Sequence, residues 1–122
     1  GVFMKFKFHG QAATPEELER QYQDAEVDVG SVRAGARCLF YPKWGQAECL
    51  FYENLVQIYL RKEECVTRLC CGTADLSPIF LMAVEDSGKI RKTQIHSQDM
   101  GKTLLDYVAR RAPHVKIGFS KA

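Results

Sequence analysis

The chain has no long apolar run. Its longest is Ile79–Val84 (IFLMAV), six residues where a membrane-spanning helix needs about 20. No basic stretch followed by an apolar core lies near its start, so no secretory signal is expected. The cysteines make no even-numbered framework. There are five, and Cys70 and Cys71 are adjacent, a placement that strand geometry rarely allows to pair. No CxxC knuckle is present, so a zinc site from Cys65, Cys70, Cys71 and His96 ranks below structural thiols, and neither a metal nor a cofactor is expected. Reduced thiols imply a reducing, cytoplasmic compartment. Catalytic signatures are missing too: GxSxG, HExxH, P-loop and GxGxxG sequences do not occur, and His9, His96 and His114 lack nearby carboxylate or nucleophile partners. The reading is therefore of a non-enzymatic protein. Nor is there a dominant charge, because 17 bases against 15 acids is too even for a nucleic-acid partner to be expected.

What is present is the composition of one folded domain. The 122 residues are 46% hydrophobic and 26% charged. The charge is unevenly placed. Thr14–Gly30 holds six acids and one base, whereas Glu85–Ala122 holds eight bases and four acids. Such asymmetry steers an acidic partner toward the C-terminal half, unless the two stretches are merely solvated faces of opposite sign.

Local patterning yields an α+β order. Val2–His9 alternates Val2, Met4, Phe6 and Phe8 against Lys5, Lys7 and His9, as a strand with one wet side does. Thr14-Pro15-Glu16-Glu17 is a helix start: an N-cap, a proline at the first helical position and a capping-box glutamate. Ala36–Tyr41, Ala47–Tyr52, Leu55–Arg61, Cys65–Cys71, Ile79–Val84 and Ile90–His96 read as strands, with Gly72–Pro78 as a loop. Cys38-Leu39-Phe40-Tyr41 nearly repeats in Cys49-Leu50-Phe51-Tyr52, which predicts two similar strand environments. Ser97 caps a second helix reaching Arg111, with Met100, Leu104, Leu105, Tyr107 and Val108 on its apolar face. Residues 1–113 form the domain, and 114–122 a tail whose Val115, Ile117 and Phe119 alternate like an extra strand.

A strand, an acidic helix, further strands and a capped C-terminal helix together resemble the PH superfold, and within it the phosphotyrosine-binding (PTB) branch. Three passages carry the likeness: Phe51-Tyr52-Glu53-Asn54-Leu55-Val56-Gln57-Ile58-Tyr59; Leu69-Cys70-Cys71-Gly72-Thr73-Ala74-Asp75 followed by Pro78–Val84; and Thr93-Gln94-Ile95-His96 leading into the last helix. Asn54-Leu55 replaces the glycine usual after the first strand of the hairpin-like stretch. The resemblance implies a small antiparallel β-barrel or sandwich capped by a C-terminal helix. It also implies an adaptor module that adds a peptide as a strand beside Ile79–Val84. On that reading Ile79, Phe80, Leu81, Met82, Ala83, Thr103, Leu104, Tyr107 and Arg111 contact a protein or peptide ligand. The competing reading makes Ile79–Val84 a central core strand.

Other candidates come from charge. Arg33, Arg37, Arg68, Arg91 and Lys92 are the cations that could meet a phosphate, and sequence brings no two of them together. Lys89, Arg91 and Lys92 form a turn-side anion site suited to a phosphoinositide or anionic lipid head group. A third reading pairs the tail strand with a second copy as a homodimer. Trp44, the sole tryptophan, sits on a Pro-Lys-Trp-Gly turn, where a buried loop anchor is commoner than an exposed partner contact.

Overall fold

A computed structural model describes residues 5–8, 14–63, 66–69, 72–75 and 78–118. In chain order the elements are β1 (Lys5–Lys7), α1 (Pro15–Gln23), β2 (Val27–Asp28), β3 (Arg33–Ala34), β4 (Cys38–Lys43) and β5 (Gln46–Phe51). A 3-10 turn at Tyr52–Asn54 then leads to β6 (Leu55–Lys62), β7 (Val66–Leu69), β8 (Gly72–Asp75), β9 (Ile79–Glu85), β10 (Ile90–Ile95), α2 (Gln98–Arg111) and β11 (Lys116–Ile117). Both helix starts form as their sequences predict. Thr14 Oγ1 accepts from the Glu17 amide at 3.2 Å, and Ser97 Oγ from that of Met100 at 3.3 Å.

The strands form two main sheets, ordered β1-β5-β4-β3-β2 and β10-β9-β6-β11, with β7 and β8 as a separate ladder. The chain is thus mixed α+β, and the expected barrel does not close. One reason is length: β2 and β3 have two residues each, too few to carry a ladder across the corner. The corner is tied instead by Ser31 Oγ, which donates to the Gln94 carbonyl at 2.7 Å. Pairing is not purely antiparallel either, because β1–β5 and β11–β6 run parallel. The alternating tail forms the extra strand expected of it: Lys116 and Ile117 pair with Gln57 and Ile58 of the same chain, and β11 is the last strand of that sheet. Gly72–Pro78 is not all loop, since β8 falls within it and pairs with β7. Val2, Met4, Cys65, Cys70, Cys71 and Phe119 lie outside the described residues.

The near-repeat is explained by register. Cys38 pairs with Phe51, Leu39 with Leu50 and Phe40 with Cys49, so the two Cys-Leu-Phe runs lie antiparallel, centred on one another, while Tyr41 faces Glu48 and Tyr52 begins the 3-10 turn. Cys38, Phe40, Cys49 and Phe51 face α1 and pack with Leu18 and Tyr22. Leu39 and Leu50 face the other way, into the larger core with Leu55, Ile58, Leu81 and Leu104. A strand covered on both faces requires consecutive apolar residues, hence CLF rather than alternation. The Cys38 thiol is held protonated, its pKa pushed far up by its hydrogen bond with Cys49 and by burial.

Helix α2 fills the opening between the sheets, leaning on β6 and β11 of one and β2 and β3 of the other. Leu104, Leu105, Tyr107 and Val108 are buried, whereas Met100, expected on the same stripe, is exposed. Gly101 permits the approach: a β-carbon there would lie 2.7 Å from Ile95 Cδ1 and 2.9 Å from Leu60 Cδ2.

Two buried tyrosines make a test of this packing. Tyr52 donates its hydroxyl to the Gly35 carbonyl at 2.7 Å, whereas the Tyr41 hydroxyl is buried with no partner among the described residues. Tyr52→Phe should lose about 1–2 kcal/mol, because it also leaves a buried carbonyl unmet. Tyr41→Phe should be neutral or stabilising by up to ~1 kcal/mol. Urea denaturation of both variants checks the contrast, and equal losses would contradict it.

Candidate functional site

The strand-addition site expected beside Ile79–Val84 is not open. β9 is hydrogen-bonded to β10 on one side and β6 on the other, so neither edge is free for a peptide. Its apolar run is that of a core strand: Leu81, Met82 and Ala83 are buried, and Ile79 and Phe80 half-buried. Leu104 is fully buried, Thr103 is exposed on α2, and Tyr107 and Arg111 border a depression in the surface.

The expected anion site at Lys89, Arg91 and Lys92 is also largely spent. From β10, Arg91 Nη1 reaches across to Glu48 of the other sheet at 2.7 Å, while Nε meets Glu85 at the end of neighbouring β9 at 2.9 Å. Its guanidinium also lies 5.1 Å from the centre of the Tyr41 ring. Burial alone would lower the Arg91 pKa, but the two carboxylates outweigh it and the net shift is upward. In return the hydrogen bond from Arg91 holds the Glu48 carboxyl below its ordinary range. Lys92 bonds Glu63 and sits over the Phe80 ring, which leaves Lys89 exposed and alone of the three. Arg33 is similarly engaged, 3.1 Å from Asp28 and donating to the Tyr22 carbonyl at the end of α1 at 3.2 Å. The side chain of Arg68 lies outside the described residues.

Arg37 is different. It stands exposed on the β3–β4 turn, 4.0 Å from Glu53, and borders an open cleft. Two depressions adjoin here. One, of about 250 Å³, is lined by Arg20, Asp24, Glu26, Tyr107 and Arg111. The other, of about 180 Å³, is lined by Arg37, Tyr52, Glu53, Ala112 and His114. Ala36 and Arg111 belong to both, so the two make one furrow along the C-terminal ends of α1 and α2. Arg111 Nε donates to Tyr107 Oη at 3.3 Å, and His114 Nε2 lies 2.7 Å from the Tyr52 carbonyl, which fixes the walls. The uneven charge of the sequence meets itself here, because Asp24 and Glu26 of the acidic stretch face Arg111 of the basic one.

The family described as a domain of unknown function (DUF6709) matches residues 3–122. The chain belongs to that family. No curated protein and no solved structure matches the chain. Within this DUF6709 domain the furrow combines groups that sequence had kept apart. Arg37 and Arg111 are far apart in the chain, and their shared cleft depends on how α2 ends against the β3–β4 turn. No helix among the described residues is long and apolar enough to cross a membrane, and none of their His, Cys, Asp and Glu side chains form a group of three able to hold a metal ion.

A second cavity, of about 450 Å³, lies between β1 and α1 and is lined by Phe6, Phe8, Pro15 and Leu18 with Lys5 and Lys7. Trp44 contradicts expectation outright. It is 95% exposed at the β4–β5 turn rather than a buried anchor.

The Arg91 bridge should show in pH dependence. Because the folded Glu48 pKa is depressed, its stabilisation is present above the unfolded carboxylate value near 4.3 and lost as pH falls through the folded value. Thermal melts between about pH 6 and pH 2 should show this loss, flattened in Glu48→Gln. At neutral pH Arg91→Leu should cost about 2 kcal/mol, or roughly 8 °C in Tm, by leaving Glu48 and Glu85 unpaired. A melt unchanged by Arg91→Leu would show that the bridge contributes nothing.

Proposed function

We propose that this domain is a non-enzymatic interaction module that takes a charged peptide segment of another protein in the furrow at the ends of α1 and α2. The observation that carries the reading is the convergence of exposed Arg37 and Arg111 on one open, elongated cleft. An acidic or phosphorylated side chain of the ligand would sit between the two guanidinium groups, which favour bidentate contact with such anions. Asp24, Glu26 and Glu53 along the same walls would select basic residues flanking that group, and Tyr52 and Tyr107 give the furrow an aromatic backing. The shape suits an extended segment better than a compact metabolite, because the depressions are shallow and joined end to end.

An adaptor of PH or PTB type, working in a reducing compartment, agrees with this reading in one respect: a C-terminal helix lies between two sheets. The peptide mode differs, since the furrow takes the place of strand addition. The free thiols of Cys38 and Cys49 are buried, and the raised pKa of Cys38 makes it a poor nucleophile, which speaks for binding over chemistry.

A peptide array of acidic, phosphorylated and neutral sequences tests the reading. Wild-type domain should retain charged peptides, with binding weakening as salt rises. Arg37→Glu and Arg111→Glu should each reduce retention about tenfold or more while Tm stays within a degree or two. Thr103→Glu, on the exposed face of α2, should leave binding unchanged. Retention that survives both reversals, or no retention of any charged peptide, would overturn the furrow.

A further inference from the structure

The tip of the β4–β5 hairpin pairs an exposed indole with a strained backbone. Trp44 has φ +45° and Gly45 φ +77°, the two positive values of a type I′ turn. Asn or Asp is the ordinary occupant of the first of these positions, because a bulky L-residue there strains against its own backbone. Trp44 adopts that conformation and gains no contact in return, being 95% exposed. A fold selected only for stability has no reason to keep a tryptophan there.

The surroundings are basic. Lys43 pairs with Gln46 across the turn, Lys5 pairs with Gln46 from the other side, and Lys7 pairs with Glu48. Register partners share a face, so Lys5, Lys7 and Lys43 line one side of the sheet beside the tip. The Lys5 amide donates to the Gly45 carbonyl at 3.3 Å, which brings β1 directly to the turn. All three lysines are exposed, and among the described residues none has a carboxylate within ion-pairing distance. Glu48, the nearest acid on that face, is bonded to Arg91.

We propose that this tip is a docking surface for an anionic lipid bilayer, with Trp44 entering the interface and Lys5, Lys7 and Lys43 at the head-group level. Charge complementarity names the occupant: three exposed lysines around one amphipathic ring match a negatively charged surface with an apolar interior. A convex tip also fits a deformable bilayer, whereas a protein partner would need a pocket built for the ring. β4 begins beside Arg37 and ends at this turn, so the tip lies about 20 Å from the peptide furrow. The bilayer contact is therefore independent of the furrow and leaves it open to bulk solvent.

Because Trp44 is the sole tryptophan, its own fluorescence is the probe. Vesicles of phosphatidylcholine containing phosphatidylserine should shift its emission to the blue and shield it from acrylamide, and added salt should reverse both. Vesicles of phosphatidylcholine alone should do neither. In sedimentation with the same vesicles, Lys43→Gln should weaken partitioning about fivefold. Trp44→Ala should weaken it on the order of tenfold. Trp44→Asn, which suits the turn, should keep or raise Tm while losing the vesicle contact, and so separates docking from folding. No shift at low salt, equal shifts with both vesicle types, or undiminished sedimentation of Trp44→Ala would overturn the proposal. So would shielding of the indole by polyglutamate but not by vesicles, which would give the surface to an acidic protein.

Discussion

The two main sheets share no hydrogen-bonded ladder among the described residues; one apolar core joins them, and the buried face of α2 is packed into it. Leu104, Leu105, Tyr107 and Val108 lie in one core with Leu39 and Leu50 of the first sheet and Ile58 and Leu81 of the second. The helix can sit this deep only because position 101 has no side chain to collide with Leu60 and Ile95. Its seating then decides where its C-terminal turn emerges. That turn carries Arg111, and the chain leaving it supplies Ala112, His114 and β11, so the furrow and the last strand both follow from one packing event. The open side of the sandwich is closed by a helix, which explains how two-residue strands at the corner suffice.

Charge in this domain divides by whether the fold uses it. Arg91 is drawn between the sheets by Glu48 and Glu85, and Arg33 is taken by Asp28 and a helix-end carbonyl. These cations are structural parts, partly desolvated and fixed in direction. Arg37, Arg111, Lys5, Lys7 and Lys43 remain at the surface. The distinction matters for function, because a guanidinium already bonded to two carboxylates must lose them before it can bind a ligand anion. These five lie at two places, Arg37 and Arg111 at the furrow and the three lysines by the β4–β5 turn, and β4 runs from one to the other. Hydrophobic residues divide in the same way: most of the large ones described serve one of two cores, whereas Val56, Ile90, Met100, Ile117 and, most exposed of the five, Trp44 at the far end of β4 do not.

Much of the fold was legible locally. Thr14 and Ser97 cap the helices as their positions predict, and the strands from Ala36 to His96 appear within a residue or two. The exceptions are β8, which falls inside an expected loop, and residues outside the description. These features were readable because capping, turn chemistry and apolar periodicity act over a few neighbouring residues. The site was far less legible. The expected peptide strand is central, and two of the three expected anion ligands are engaged elsewhere. Arg37 and Arg111, 74 positions apart in the chain, meet at one cleft with no local signal. Trp44 was judged by its residue type, whereas its exposure depends on the hairpin tip projecting past both cores.

By itself, then, the sequence determined a mixed α+β chain, its two helix starts, most of its strands from Ala36 to His96 and the paired environments of the two Cys-Leu-Phe runs. Each of these rests on short-range physics. Only tertiary structure decided that the sheets stay open rather than closing as a barrel, that Ile79–Val84 has no free edge, and that the tail completes a sheet of its own chain. It also decided which cations are consumed and which are presented. Strand neighbours, edges and ion pairs join residues distant in the chain, and composition and spacing do not record which distant residues meet.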